Sequence, residues 1–114
     1  MINTISREQI KQKLDAKEPI TLVEALPDRY YQAGHLPGAI NIPHDEIREK
    51  AAQLLPDKNA LIAVYCASTE CQNSRVATQV LVQMGYSNAH EYVEGKQDWQ
   101  DANLPVDTGQ EVAA

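Results

Sequence analysis

The chain has 114 residues, 43% of them apolar and 23% charged, and a formal net charge of −6. This length suits one domain with one core, and the composition is that of an ordinary globular protein. The acidic excess argues against nucleic acid and anionic membranes as partners, because both attract clusters of Lys and Arg. No apolar run approaches the ~20 residues of a membrane span. Residues 1–6 lack the features of a signal peptide, so we expect a cytoplasmic protein.

The first part of the chain predicts a helix followed by a strand. Ser6 and Gln9 have the spacing of a capping box, which marks a helix start. The helix ends before Pro19, because proline disfavours the helical conformation of the residue that precedes it. Residues 20–24 are β-prone and predict a short strand.

The middle of the chain repeats this alternation. Residues 27–33 predict a short helix with proline in its first turn. Residues 34–38 predict a turn, because they include two glycines and a proline. Residues 39–42 form a second predicted strand, and Pro43 opens a further helix that Pro56 ends.

The second half contains an uninterrupted apolar run at residues 61–65, which is typical of a strand covered on both faces. A polar loop follows, and then a helix that ends at Gly85, a natural C′ residue. The predicted inner face of this helix comprises Val76, Ala77, Val80, Leu81 and Met84. Residues 89–93 predict a last strand, and residues 95–100 a final helical segment anchored by Trp99. The alternation predicts a three-layer α/β domain with a mainly parallel sheet.

Cys66 directly follows the apolar strand and precedes the loop that leads into the next helix. Open α/β sheets bind their ligands at this edge, where the first amides of a helix have no internal partner. These amides and the positive end of the helix dipole favour the thiolate over the thiol. The sequence therefore predicts a nucleophilic cysteine that is ionised at neutral pH. A thiol merely packed at a strand end is the alternative.

Several segments together resemble the rhodanese family. They are Tyr30, the run Gly-His-Leu-Pro-Gly-Ala-Ile-Asn-Ile-Pro at residues 34–43, Val64-Tyr65-Cys66, Gly85-Tyr86, and Gly95 with Trp99. The resemblance covers residues 4–106, and residues 107–114 are expected to be a flexible tail. It implies a five-stranded, mainly parallel sheet flanked by helices.

The resemblance also implies an activity, that of a single-domain sulfurtransferase or persulfide carrier. A sulfane sulfur from thiosulfate or a persulfide would move through a persulfide on Cys66 to a thiol, cyanide or a protein acceptor. The active-site loop that it implies comprises Ala67, Ser68, Thr69, Glu70, Gln72, Asn73 and Ser74. We expect no cofactor and no metal, and a monomer in solution.

The loop departs from the commonest rhodanese pattern. The spacing from Cys66 to Gly85 is about two residues longer, and the loop carries Glu70 but neither glycine nor arginine. With Cys71, it resembles a branch that has a Tyr-Cys-x4-Cys loop. Asn73 or Ser74 is expected to cap the following helix. Arg75 lies beyond the loop, either as an anion guide at its rim or as a solvated side chain.

Cys71 leaves two interpretations open. It is a candidate resolving thiol for a disulfide with Cys66, or a loop thiol without a role. If the two cysteines report redox state, the chain would instead be a non-catalytic redox-sensing or interaction module. Cysteine phosphatase chemistry is disfavoured, because Gln72 stands where that chemistry needs an arginine. His35 and Glu24 are expected to have structural roles.

Overall fold

The structure, a computed structural model, describes residues 2–109. Its sheet has five strands: β1 (Asn3–Thr4), β2 (Thr21–Glu24), β3 (Ile40–Asn41), β4 (Ile62–Tyr65) and β5 (Ala89–Tyr92). All neighbouring strands are parallel, in the order β1-β5-β4-β2-β3. The predicted five-stranded α/β architecture is confirmed, and the carboxyl ends of all five strands meet at one edge of the sheet.

Helices cover both faces of the sheet. They are α1 (Arg7–Asp15), α2 (Asp28–Ala33), α3 (Ile47–Leu54, preceded by a 3-10 turn at His44–Glu46), α4 (Asn73–Gln83) and α5 (Gly95–Asp101). Strand β4 shows why its sequence is apolar throughout. Ile62 and Val64 pack with α3 and α4, while Ala63 and Tyr65 pack on the other face, among residues of α1, α2 and α5.

Local sequence signals place several of these elements as predicted. The Ser6 hydroxyl accepts from the Gln9 amide at 3.1 Å, and the Gln9 side chain accepts from the Ser6 amide at 2.9 Å. This capping box confirms the predicted start of α1. Trp99 is 1% exposed, and its indole N–H donates to the Pro105 carbonyl at 2.8 Å. It is the predicted anchor of α5.

The buried face of α4 differs from the predicted one. Val76 is 40% exposed, whereas Ala77 and Leu81 are buried together with Ser74 and Thr78. These four residues have the i, i+3, i+4, i+7 spacing of one helix face. The apolar pattern alone predicted a slightly different rotation of α4 about its axis, because the polar residues Ser74 and Thr78 take part in the buried face.

The folded contacts continue past the predicted domain boundary at residue 106. Asp107 and His35 exchange backbone hydrogen bonds of 2.9 and 2.8 Å, and the Gly109 amide donates to the Gln32 carbonyl at 2.8 Å. The remainder of the predicted tail, residues 110–114, lies outside the described residues. Within residues 2–109, the structure contains no helix of the length and apolarity that a membrane crossing requires.

Candidate active site around Cys66

The backbone of Cys66 is held at the carboxyl end of β4 by the start of α5. The Lys96 amide donates to the Cys66 carbonyl at 2.9 Å, and the Gln97 amide donates to the Ala67 carbonyl at 2.8 Å. Gly95 permits this close approach. Its φ is +69°, and a Cβ at this position would lie 2.6 Å from the Cys66 carbonyl oxygen. The first turn of α5 therefore holds the backbone of Cys66 and Ala67 in place.

The sulfur of Cys66 is buried, and it contacts both the loop and the first turn of α4. Its Sγ lies 3.4 Å from the Cys71 carbonyl oxygen and 3.3 Å from Ser74 Oγ. The Ser74 hydroxyl donates in turn to Glu91 Oε2 at 2.8 Å. A continuous set of hydrogen bonds thus runs from the end of β4 through α4 to β5.

These surroundings keep the thiol of Cys66 protonated. Burial is the largest effect and, together with the neighbouring Cys71 side chain, it raises the pKa of Cys66 to about 11. The hydroxyl and amide of Ser74 lower this pKa, but they offset burial only in part. The prediction of a thiolate at neutral pH is therefore wrong for this arrangement. The helix start contributes the expected stabilisation, and desolvation outweighs it.

The loop is shorter than predicted and curls back over the sulfur. The Cys71 amide donates to the Ser68 carbonyl at 3.1 Å, and the Glu70 amide donates to the Ser68 hydroxyl at 3.3 Å. This turn brings the backbone of Cys71 next to the Cys66 sulfur, with its carbonyl oxygen 3.4 Å from Sγ. Both cysteines are free thiols in the structure. Ala67, Thr69, Glu70 and Gln72 are exposed on the outside of the loop.

Asn73 and Ser74 are the first two residues of α4, not the end of the loop. Neither they nor Gln72, the N-cap, forms a side-chain cap. The capping prediction is wrong because the Ser74 side chain points inward to the sulfur and to Glu91. Arg75 is exposed on the first turn of α4, and the structure does not bring it into contact with the sulfur.

A second network lies beneath the start of the loop, around the fully buried Glu24. Tyr65 donates to Glu24 Oε1 at 2.8 Å and Lys96 Nζ donates to Oε2 at 2.9 Å. Burial raises the pKa of Glu24, and the bonds from Lys96 and Tyr65 partly offset that rise. The Tyr65 hydroxyl also accepts from the Leu36 amide at 3.0 Å. Glu24 therefore has the structural role that the sequence predicted.

His35 also has the predicted structural role. Its Nδ1 lies 2.8 Å from the Tyr31 carbonyl oxygen, and its ring stacks on the Tyr31 ring with centroids 3.8 Å apart. It is 3% exposed. These contacts hold the turn at residues 34–38 against α2.

The sequence interpretation did not identify Glu91 or Lys96 as residues of the site. Each left a signal. Glu91 is an acidic residue within an otherwise buried strand, and a buried carboxylate needs a hydrogen-bond donor. Lys96 is the one Lys or Arg between positions 89 and 101. Within residues 2–109, no group of three or more His, Cys, Asp or Glu side chains is placed to hold a metal ion.

A parallel sheet with a buried cysteine between a strand end and a helix start defines an α/β protein with a cysteine-centred site. Comparison with protein families identifies which one. The model of the rhodanese-like domain matches residues 6–102. The chain belongs to the rhodanese-like family.

Curated relatives include a transcriptional regulator and sulfur-handling proteins. The chain is 36% identical over 107 residues to the HTH-type transcriptional regulator Rv0324 of Mycobacterium tuberculosis, covering 94% of this chain and 46% of that protein. It is 30% identical over 98 residues to the putative sulfur carrier protein YrkF of Bacillus subtilis, covering 86% and 51%. The thiosulfate sulfurtransferase PspE of Escherichia coli is 38% identical over 80 residues, 70% of each chain. The chain thus spans about half the length of the first two relatives.

Solved structures that share this fold include a sulfurtransferase and a rhodanese. A thiosulfate sulfurtransferase from Pseudomonas aeruginosa superposes with a TM-score of 0.85 and 27% identity, over 96% of this chain and 21% of that one. A rhodanese with anions from E. coli superposes with a TM-score of 0.65 and 33% identity, over 79% and 99% of the two chains.

Proposed function

We propose that this protein is a sulfurtransferase or sulfur carrier that moves a sulfane sulfur through a persulfide on Cys66. The observation that carries the proposal is the position of the Cys66 sulfur, at the carboxyl end of β4 and against the first turn of α4. Membership of the rhodanese-like family supports sulfur transfer. The similarity to a thiosulfate sulfurtransferase and to a putative sulfur carrier points the same way.

The proposed reaction has two displacements at sulfur. In the first, Cys66 loses its proton and its Sγ attacks the outer sulfur of the donor. The new Sγ–S bond forms as the donor's S–S bond breaks, and sulfite or a thiolate leaves with the electron pair. In the second, a thiolate, cyanide or a cysteine of a partner protein attacks the outer sulfur, and Cys66 leaves as the thiolate. Neither step needs a cofactor or a metal.

The loop composition favours a persulfide over thiosulfate as the donor. Residues 66–74 contain no Lys or Arg and include the acidic Glu70. A thiosulfate dianion would meet no cationic side chain on this loop, whereas a persulfide brings less charge. We therefore propose a low-molecular-weight or protein persulfide as the donor.

We also propose that the protein is a monomer in the cytoplasm, where both cysteines would remain reduced.

Intact mass spectrometry tests the proposal. The protein is incubated with thiosulfate or with glutathione persulfide, and the mass is searched for one added sulfur. We expect loading of the wild type and of Cys71→Ser, the matched control that leaves Cys66 as the single thiol, and no loading of Cys66→Ser. Equal loading of Cys66→Ser would refute the assignment.

A second candidate function is redox sensing, and the contact between Cys66 Sγ and the Cys71 carbonyl at 3.4 Å favours it. Under peroxide, Cys66 would become a sulfenic acid, and the Cys71 thiol would displace water from it to form a disulfide. Loss of two hydrogens from the mass after peroxide treatment, absent in Cys71→Ser, would support this function. Sulfur loading without disulfide formation would exclude it.

A further inference from the structure

The proposed sulfur transfer leaves one buried ionisable group next to the site without a role. Glu91, on β5, is 4% exposed, and its Oε2 accepts the Ser74 hydroxyl at 2.8 Å. Within residues 2–109, no Lys, Arg or His forms an ion pair with it. A carboxylate is costly to bury and is retained where its hydrogen bonds are useful.

The Ser74 hydroxyl connects this carboxylate to the sulfur. A serine hydroxyl has one proton and two acceptor lone pairs. Since its proton is directed to Glu91, a lone pair of Ser74 Oγ is available to the Cys66 thiol, whose Sγ lies 3.3 Å away. The thiol proton therefore has a direct route to a carboxylate through one hydroxyl. The Cys71 carbonyl also accepts from the thiol, but it cannot take up a proton.

We propose that Ser74 and Glu91 form a proton relay that deprotonates Cys66 as its sulfur attacks. Ser74 contacts the reacting sulfur and is a catalytic residue. Glu91 is a positioning residue that orients the Ser74 hydroxyl and receives the proton through it. For sulfur transfer the relay rests on the proposed function, but the deprotonation itself can be followed with any electrophile that reacts with Cys66.

The relay conserves atoms and charge. The Cys66 proton moves to Ser74 Oγ while the Ser74 proton moves to Glu91 Oε2, so the carboxylate becomes a carboxylic acid. The electron pair of the S–H bond forms the bond to the incoming sulfur, whose previous partner leaves with its own pair. When the acceptor removes the outer sulfur, the Cys66 thiolate regains its proton from Glu91 by the same route. No oxidant or reductant is required.

The electrostatic surroundings explain why a relay is useful at this position. Burial keeps the thiol protonated at neutral pH, so attack needs a proton acceptor. Cys71 is a further titratable group whose charge acts on the sulfur, and it raises the same pKa. The pH profile is therefore measured in a Cys71→Ser background, in which Cys66 is the single thiol. The titration of the second thiol is thereby removed from the profile, and comparison with Glu91→Gln isolates the part that belongs to the relay.

The test is the rate of Cys66 alkylation by iodoacetamide between pH 6 and about 10.5, in the Cys71→Ser background. Glu91→Gln keeps the shape and an acceptor oxygen but removes the base. We expect at least a roughly tenfold lower rate at pH 7, with the difference shrinking towards high pH, where hydroxide deprotonates the thiol directly. Ser74→Ala should show the same loss and Ser74→Thr should restore part of it. Glu94→Gln, an exposed carboxylate on the same segment, is the charge-matched control and should leave the rate unchanged.

The double variant Ser74→Ala/Glu91→Gln decides whether the two residues act in series. A relay predicts that the alkylation rate of the double variant is no lower than that of either single variant, because each substitution breaks the same route of the proton. Glu91→Gln with a wild-type circular dichroism spectrum and an equal or faster rate at pH 7 would overturn the relay, and so would additive losses. If alkylation follows the relay pattern but no donor loads sulfur, the relay stands and the proposed sulfur transfer fails.

Discussion

Two buried carboxylates at the same edge of the sheet have opposite surroundings. Glu24, at the end of β2, is bonded to the ammonium of Lys96 and the hydroxyl of Tyr65. Glu91, on β5, is bonded to the hydroxyl of Ser74, which contacts the Cys66 sulfur. A carboxylate held by a cation is suited to a structural role. The carboxylate held by a hydroxyl lies instead on the proposed route of the proton from the reactive thiol.

Removal of the cation beside Glu24 tests this comparison and should have the largest effect on stability. Lys96→Met leaves a buried carboxylate without its ion pair, and we expect the free energy of unfolding to fall by about 3–5 kcal/mol. Urea denaturation at pH 7 measures it. The double variant Lys96→Met/Glu24→Gln should recover part of the loss, because no charge remains buried. If the Lys96→Met protein were as stable as the wild type, the ion pair between Lys96 and Glu24 would have no structural role.

A steric change at the same place should cost less. Gly95→Ala places a Cβ 2.6 Å from the Cys66 carbonyl oxygen, at a φ of +69°. We expect a loss of about 3 kcal/mol, since the clash adds to the strain of a left-handed residue. Gly38→Ala is the matched control, with a φ of +76° and no atom within 4 Å of the added Cβ. It should cost only about 1–2 kcal/mol. If both variants lost the same free energy of unfolding, the close approach of Gly95 to the Cys66 carbonyl oxygen would add no steric cost.

The smallest effect is a pH dependence of stability that arises from Glu24. Its pKa in the folded protein is raised above 4.5, mainly by burial. As the pH rises, the unfolded state therefore ionises first, and the contribution of this group to stability is lost as the pH passes the folded pKa. Relative to Glu24→Gln, the wild type should lose stability as the pH rises from about 4.5 through the folded pKa of Glu24. Urea titrations of both proteins check the sign, and a wild type that gains stability over this range would contradict it.

Local signals in the sequence predict most of the fold. The capping box at Ser6 and Gln9, the C′ glycine at Gly85 and the apolar run at residues 61–65 each act over a few residues, so a pattern reveals them. The position of Cys66 after that strand is equally local. The strand–loop–helix arrangement that the site requires was therefore predictable from the sequence alone.

The partners within the site were not predictable in this way. Glu24 and Lys96 are 72 positions apart in the chain, and their pairing depends on the strand order. Ser74 points inward because Glu91 lies on the neighbouring strand, so a residue expected to cap the helix joins its buried face. The pKa of Cys66 depends on burial as well as on the helix start, and the pattern of residues indicated only the second effect.

The location of the transferred sulfur tests the central claim most directly. Wild-type protein is loaded with glutathione persulfide, the free thiols are blocked, and a tryptic digest is fragmented by mass spectrometry. Both cysteines lie on the peptide between Lys58 and Arg75, so fragmentation distinguishes them. The account predicts one added sulfur on Cys66 and none on Cys71. Sulfur on Cys71 instead, or an unloaded peptide with every donor, would contradict it.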